Sequence, residues 1–222
     1  MLPNNKLVTY STPNITIWNT NDWKILKSLK ANKGCVKSYA IKAHDYFAAG
    51  AQEIIIWNLN SWRRIKTIKC TDSIAKWSLT FLPDGNLASG GQDFKIKVWN
   101  VKNGKLLKSL SGHSGYVKNL TILSDETLAS TGGLTIRIWN IKTWTTLKVL
   151  EGHQDWIYKM LLIKDGTLAS CSDDGTIRIW DIEENKTVQI LNARQNNLKS
   201  MAILPNGTLA SGTDSEILIW TR

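Results

Sequence analysis

The chain has 222 residues, 42% of them hydrophobic, which is enough for one sizeable core and too apolar for a disordered chain. No apolar run nears the roughly 18 residues of a membrane-crossing helix, and no basic start leads into the apolar stretch of a secretory leader. The formal charge of +10 is lopsided, with 17 Lys/Arg against 6 Asp/Glu in residues 1–111 and 11 against 12 in residues 112–222, an asymmetry that fits a nucleic-acid or acidic-partner surface.

The first predicted elements lie in "LPNNKLVTYSTPNITIWN", Leu2 to Asn19, a turn followed by apolar runs that end at Trp18. The same wording returns as "LPDGNLASGGQDFKIKVW" at Leu82 to Trp99 and as "LPNGTLASGTDSEILIW" at Leu204 to Trp220. Trp18, Trp57, Trp99, Trp139, Trp180 and Trp220 each close such a run, 39, 42, 40, 41 and 40 residues apart. A period near forty signals stacked units or a propeller.

Within each period the apolar residues alternate with period two, as in "KIKVW", "TIRIW" and "EILIW", so these segments read as half-buried strands. A second short run lies upstream ("NLASGG", "TLASTG", "TLASCS", "TLASGT"), and before it a longer one such as "WIYKMLLI", Trp156 to Ile163. After each tryptophan comes a fourth stretch: "KILKSL", "RRIKTI", "KLLKSL", "TLKVL" or "TVQIL". "KILKSLK" could pass for a helical turn, but the same slot elsewhere holds β-branched residues, and a strand is predicted. Four short antiparallel strands per period make one blade.

These residues resemble the WD-repeat β-propeller family. The fullest match is Gly152-His153, Ser170, Asp174 and Trp180-Asp181, and the resemblance implies a hydrogen-bonded tetrad of His153, Ser170, Asp174 and Trp180. Gly112-His113 opens the preceding unit, where Gly133 stands in the aspartate's place, and the third unit keeps Ser89, Asp93 and Trp99 without a Gly-His. The fold expected is all-β: a propeller of four-stranded antiparallel blades, six units being visible, the first without strand a and the last without strand d. Residues 1–222 are expected to form a single propeller domain, an N-terminally truncated part of a larger ring, with seven blades as one way to complete it.

No catalytic chemistry is expected. Three histidines and three cysteines are too scattered for a metal site, His44, His113 and His153 have structural explanations, and no Gly-rich loop lies between a strand and a helix. Neither a cofactor nor a small-molecule substrate is expected. The odd, widely spaced Cys35, Cys70 and Cys171 fit reduced thiols in the cytoplasm or nucleus better than a disulfide framework. Many lysines fall on the fourth strands, where they block edge-to-edge association. Trp23, Trp62 and Trp144, five residues after a repeat tryptophan, are expected to pack beneath a turn.

Aligning the first strands superimposes Val36, Lys76, Val117, Ile157 and Leu198, and their neighbours point to one rim, where the resemblance implies that partners dock. That rim gathers Lys37, Trp77, Tyr116, Lys118, Trp156, Tyr158 and Lys199, with Ala75 beside them and Asp173 added from a loop. Aromatic anchors among lysines suit a protein or peptide partner with acidic or phosphorylated segments. The function expected is a non-catalytic scaffold for complex assembly. The alternative is a ribonucleoprotein component that holds RNA with the basic N-terminal half.

Overall fold

A computed structural model describes residues 5–11, 14–31, 35–42, 45–70, 76–163, 166–193 and 197–220. Leu2, His44 and Ala75 lie outside these residues. The described chain is all-β and falls into two compact units, the first residues 1–92 and 96–109, the second residues 93–95 and 110–222.

The first unit builds three antiparallel sheets. Strands β1 (Lys6–Ser11), β2 (Asn14–Asn19) and β3 (Ile25–Lys30) form a three-stranded sheet in chain order. Strands β4 (Ser38–Lys42), β5 (Tyr46–Gly50), β6 (Ile54–Asn58) and β7 (Arg64–Ile68) form the second. The third holds β8 (Lys76–Phe81), β9 (Leu87–Gly91), β10 (Ile96–Trp99) and β11 (Leu106–Leu110). The disputed "KILKSL" segment lies in strand β3 from Ile25 onward, paired antiparallel with β2 with one residue, Leu26, skipped in the register.

The second unit repeats the plan. Its sheets are β12 (Val117–Ser124), β13 (Thr127–Gly132), β14 (Thr135–Asn140) and β15 (Thr146–Leu150); then β16 (Ile157–Leu162), β17 (Leu168–Ser172), β18 (Thr176–Asp181) and β19 (Lys186–Asn192); and last β20 (Ser200–Ile203), β21 (Leu209–Gly212) and β22 (Ile217–Trp220). The first and last sheets have three strands and the others four. We number these sheets one to six as blades.

Packing follows from the pattern of side chains. The second strands β9 and β17 are buried at every residue, so both faces must admit a neighbouring blade. The repeated Leu-Ala-Ser suits this, because Ala and Ser let adjacent sheets approach closely. The third strand β14 alternates: Ile136 and Ile138 are buried while Thr135 and Arg137 are half-buried. Between the fourth and fifth blades, Ala129, Ile136, Ile138, Leu150, Ile157, Met160, Leu168 and Trp180 form one apolar cluster, each large side chain contributing about 1.5–3 kcal/mol by burial. Fourth strands carry the lysines and are largely exposed.

The turn after each repeat tryptophan has its own chemistry. Asn58 Oδ1 accepts backbone N–H bonds from Asn60 and Ser61 at 3.1 and 2.8 Å. Asn100 does the same for Lys102 and Asn103 at 3.0 Å, and Asn140 for Lys142 and Thr143 at 2.8 and 2.9 Å. Asp181 accepts from Glu184 N–H at 2.9 Å. Asn replaces Asp freely because only a side-chain carbonyl oxygen is needed. Four residues on, the chain turns left-handed at Trp23, Trp62, Gly104, Trp144 and Asn185, with φ of 55, 55, 76, 62 and 54°. Trp62 packs against Phe47, ring centroids 6.0 Å apart, whereas Trp23, expected beneath a turn, is 65% exposed.

Candidate functional site

The innermost polar feature is the network around Trp180. Its indole Nε1 donates to Ser170 Oγ at 2.8 Å, and Ser170 Oγ lies 2.7 Å from His153 Nε2. His153 Nδ1 is 2.7 Å from Asp174 Oδ2. With the indole as donor, the serine hydroxyl donates to Nε2, which leaves the proton of neutral His153 on Nδ1, facing the carboxylate. Asp174 also accepts from Gln154 N–H at 2.9 Å, and from the Thr176 hydroxyl and N–H at 2.7 and 2.9 Å. Burial lowers the pKa of His153 and outweighs the raising effect of Asp174. Burial alone would raise Asp174, but the bonds from Thr176, Gln154 and His153 bring it below the usual carboxylate range. A neutral imidazole locked between a serine and an anion with no open space beside it is a structural link.

The other blades keep parts of this link. In the fourth, Trp139 Nε1 donates to Ser130 Oγ at 2.7 Å, and Ser130 lies 2.6 Å from His113 Nε2. Among the described residues no carboxylate meets His113, because the loop from Gly132 to Thr135 is a two-residue hairpin turn, one residue shorter than the loop from Ser172 to Thr176. The indole-to-hydroxyl bond recurs as Trp99 to Ser89 at 2.8 Å, Trp220 to Ser211 at 2.8 Å and Trp18 to Thr9 at 2.7 Å. In the second blade Ala49 pairs at the hydroxyl's place in the strand register, opposite Ile55.

Three of the residues predicted for the partner rim owe their placement to bulges. The pairing of β8 with β9 skips a residue between Lys76 and Ser78, that of β12 with β13 between Val117 and Asn119, and that of β16 with β17 between Ile157 and Lys159. The skipped residues are Trp77, Lys118 and Tyr158. A bulge adds one residue to one strand and re-aims its side chain.

In the first unit, Lys37 Nζ lies over the Trp77 ring, 5.1 Å from its centroid. In the second unit the predicted residues form a continuous cluster. Tyr116 and Trp156 meet edge to face with centroids 5.1 Å apart. Lys118 Nζ sits 4.6 Å from the Trp156 centroid and 3.3 Å from that of Tyr158. Lys199 Nζ is bonded to both oxygens of Asp214 at 3.0 and 3.2 Å. Burial pushes Lys118 down to about 8; Asp173 and Asp155 oppose this shift and Lys199 assists it. Burial, then a hydrogen bond to Asp173 and the charges of Asp173, Asp155 and Asp214, pushes the Tyr158 phenol up to about 12.

Three participants escaped the sequence reading. Phe94 meets Tyr116 at 5.7 Å and is 40% exposed. It holds a left-handed φ of 63° at the loop position where the fifth blade places Gly175, φ 79°. For a bulky side chain that conformation is strained, and such strain concentrates at functional positions. Asp155 and Asp214 are the others, each in a loop whose direction no strand periodicity fixes.

Elsewhere the chemistry is quiet. Burial raises Cys171 to about 12, which makes its thiol inert at neutral pH. Among the described residues no group of three His, Cys, Asp or Glu side chains could hold a metal ion, and no helix is long and apolar enough to cross a membrane.

Comparison with known proteins places these features in context. A family model described as WD40, "WD domain, G-beta repeat", matches residues 62–100, 104–140 and 144–181, more than half of the chain. Over 47 residues the chain is 43% identical to "Small ribosomal subunit protein RACK1y" of Oryza sativa subsp. japonica, covering 21% of this chain and 14% of that protein. It is 40% identical to "Small ribosomal subunit protein RACK1" of Drosophila melanogaster over 47 residues, 21% of this chain and 15% of that one. The corresponding Caenorhabditis elegans protein is 40% identical over 50 residues, again covering 15% of its own length.

Proposed function

The chain belongs to the WD40 family, and on that premise we propose that it is a non-catalytic scaffold that joins proteins into complexes. The family is generally one of interaction platforms. The observation that carries the reading is the aromatic cluster of the second unit, where Tyr116, Trp156 and Tyr158 remain half-buried rather than sealed in a core. Rigid aromatic anchors ringed by polar groups are what a protein-binding centre is made from. The docking residues of that unit are Tyr116, Lys118, Trp156, Tyr158, Asp173 and Lys199; in the first unit, Lys37 with Trp77 forms a patch of its own. The network of His153, Ser170, Asp174 and Trp180 holds the blade beneath it.

An acidic or phosphorylated partner segment is the finer expectation from the sequence, and it requires ammonium groups free to pair. Lys37, over Trp77, is exposed and suits that role. Lys199 is taken by Asp214, and Lys118 lies on two rings near Asp155 and Asp173. Changing Trp156 and Tyr158 to alanine is expected to abolish capture of the partner while circular dichroism and the melting profile stay unchanged. Retained capture by a folded variant sinks the reading.

A second reading is association with a ribonucleoprotein in the cytoplasm, supported by the ribosomal names of the relatives and by the excess positive charge of residues 1–111. Binding of this kind falls steeply with salt and ignores the Trp156 change. A salt titration of both proteins separates the two readings.

A further inference from the structure

The cluster of the second unit already holds a cation. The ammonium of Lys118 lies over Trp156 and Tyr158 at 4.6 and 3.3 Å from the ring centroids. Ring faces attract cations, most strongly when water is excluded. Three carboxylates, Asp155, Asp173 and Asp214, act on Tyr158, against two lysines, one of them bonded to Asp214. The balance is therefore anionic even though the chain as a whole is basic. One carboxylate oxygen, Asp173 Oδ1, is buried and accepts no hydrogen bond among the described residues.

From these observations we infer that this cluster is a receptor for an arginine side chain of a partner protein, with Lys118 as its resident stand-in. The inference rests on the scaffold reading above and names the chemistry its partner presents.

Arginine fits where lysine does not. An ammonium is a compact, strongly hydrated charge, and burial here costs Lys118 part of its hold on the proton. A guanidinium is planar, more weakly hydrated and permanently charged, and it stacks on aromatic faces. Its fork also supplies the paired N–H donors that a carboxylate accepts, which answers the open oxygen of Asp173. Lys118 sits on a bulge at the strand surface, so its long stem can swing out as the guanidinium arrives. Phe94, held in a left-handed conformation against Tyr116, extends the apolar wall for the arginine's methylene stem.

The test uses three fluorescein-labelled peptides of equal length, identical except that two positions are Arg, Lys or phosphoserine, titrated by fluorescence polarisation against the 222-residue chain. The arginine peptide is expected to bind most tightly. Lys118→Met, which removes the stand-in and keeps the stem's bulk, is expected to tighten it about tenfold, and Asp173→Asn to weaken it about tenfold. Preference for phosphoserine, lost in Lys118→Met but still dependent on Trp156, overturns the arginine assignment and leaves the docking face standing. Absence of arginine binding overturns the assignment too, and if a partner captured by the wild-type chain is still captured by a folded Trp156→Ala variant, the docking face falls with it. Circular dichroism of each variant separates lost binding from lost fold.

Discussion

The fourth and fifth blades share strand order, turn chemistry and the indole-serine-imidazole chain, yet one residue separates them. The loop of the fifth is long enough to bring Asp174 to His153 at 2.7 Å. The fourth closes in two residues, with Gly133 at φ 68°, and His113 Nδ1 is buried with no side-chain partner among the described residues. The same fold therefore tolerates both a closed and an open polar network. Stability in a repeat architecture is a sum over blades and their contacts, so one blade can carry an imperfect link while its neighbour carries a complete one.

The sharpest way to break the comparison is to open the fifth blade. Asp174→Ala removes the acceptor of four hydrogen bonds, two of them from backbone N–H groups. A loss of about 3 kcal/mol in urea unfolding is expected; a loss below about 1 kcal/mol would mean that the carboxylate is replaceable by water. Next in size is the indole bond itself: Trp180→Phe is expected to cost about 2 kcal/mol and Trp139→Phe about 1, because the serine that loses its donor anchors a longer chain in the fifth blade. Equal losses would show that the aspartate adds nothing to the links before it.

Acid acts on the imidazoles of both blades, since burial also lowers the pKa of His153, and His113 gives the clearest case. Burial, helped by Arg137, pushes His113 down to about 4 from an ordinary 6.5. The unfolded chain takes up that proton first, so stability is complete above pH 6.5 and is lost as pH falls toward 4. The slope is about 1.4 kcal/mol per pH unit for one proton, and His113→Gln is expected to remove that share of it in urea midpoints measured across that range. An unchanged slope would assign it elsewhere. The smallest effect is expected at the turn: Gly133→Ala places a Cβ 3.1 Å from Ser114 Oγ at a left-handed φ and is expected to cost about 1 kcal/mol by thermal melting.

The elements were legible because tryptophan marks the end of every third strand and polar turns punctuate the rest. Strand β16, read as "WIYKMLLI", is found at Ile157–Leu162, and the predicted "TIRIW" strands at Thr135–Asn140 and Thr176–Asp181. The candidate site was legible only in part. Period-two alternation places Tyr116, Lys118, Trp156 and Tyr158 near one end of their strands, but it does not reveal a skipped residue, because a bulge needs no special side chain. Nor does composition reveal that Asp214 engages Lys199, since that pairing spans 15 residues through a loop. Phe94 was hidden because a left-handed turn is expected of glycine, and only the backbone discloses that a phenylalanine occupies it.

The bulges at Trp77, Lys118 and Tyr158 have a consequence for how such a surface can change over generations. A residue that belongs to no rung of the ladder can be exchanged for almost any other without shifting the register on either side, so each of these three blades offers one freely editable letter set in an otherwise fixed text. Binding preferences can then diverge by single substitutions at these letters while the interior stays as it was inherited.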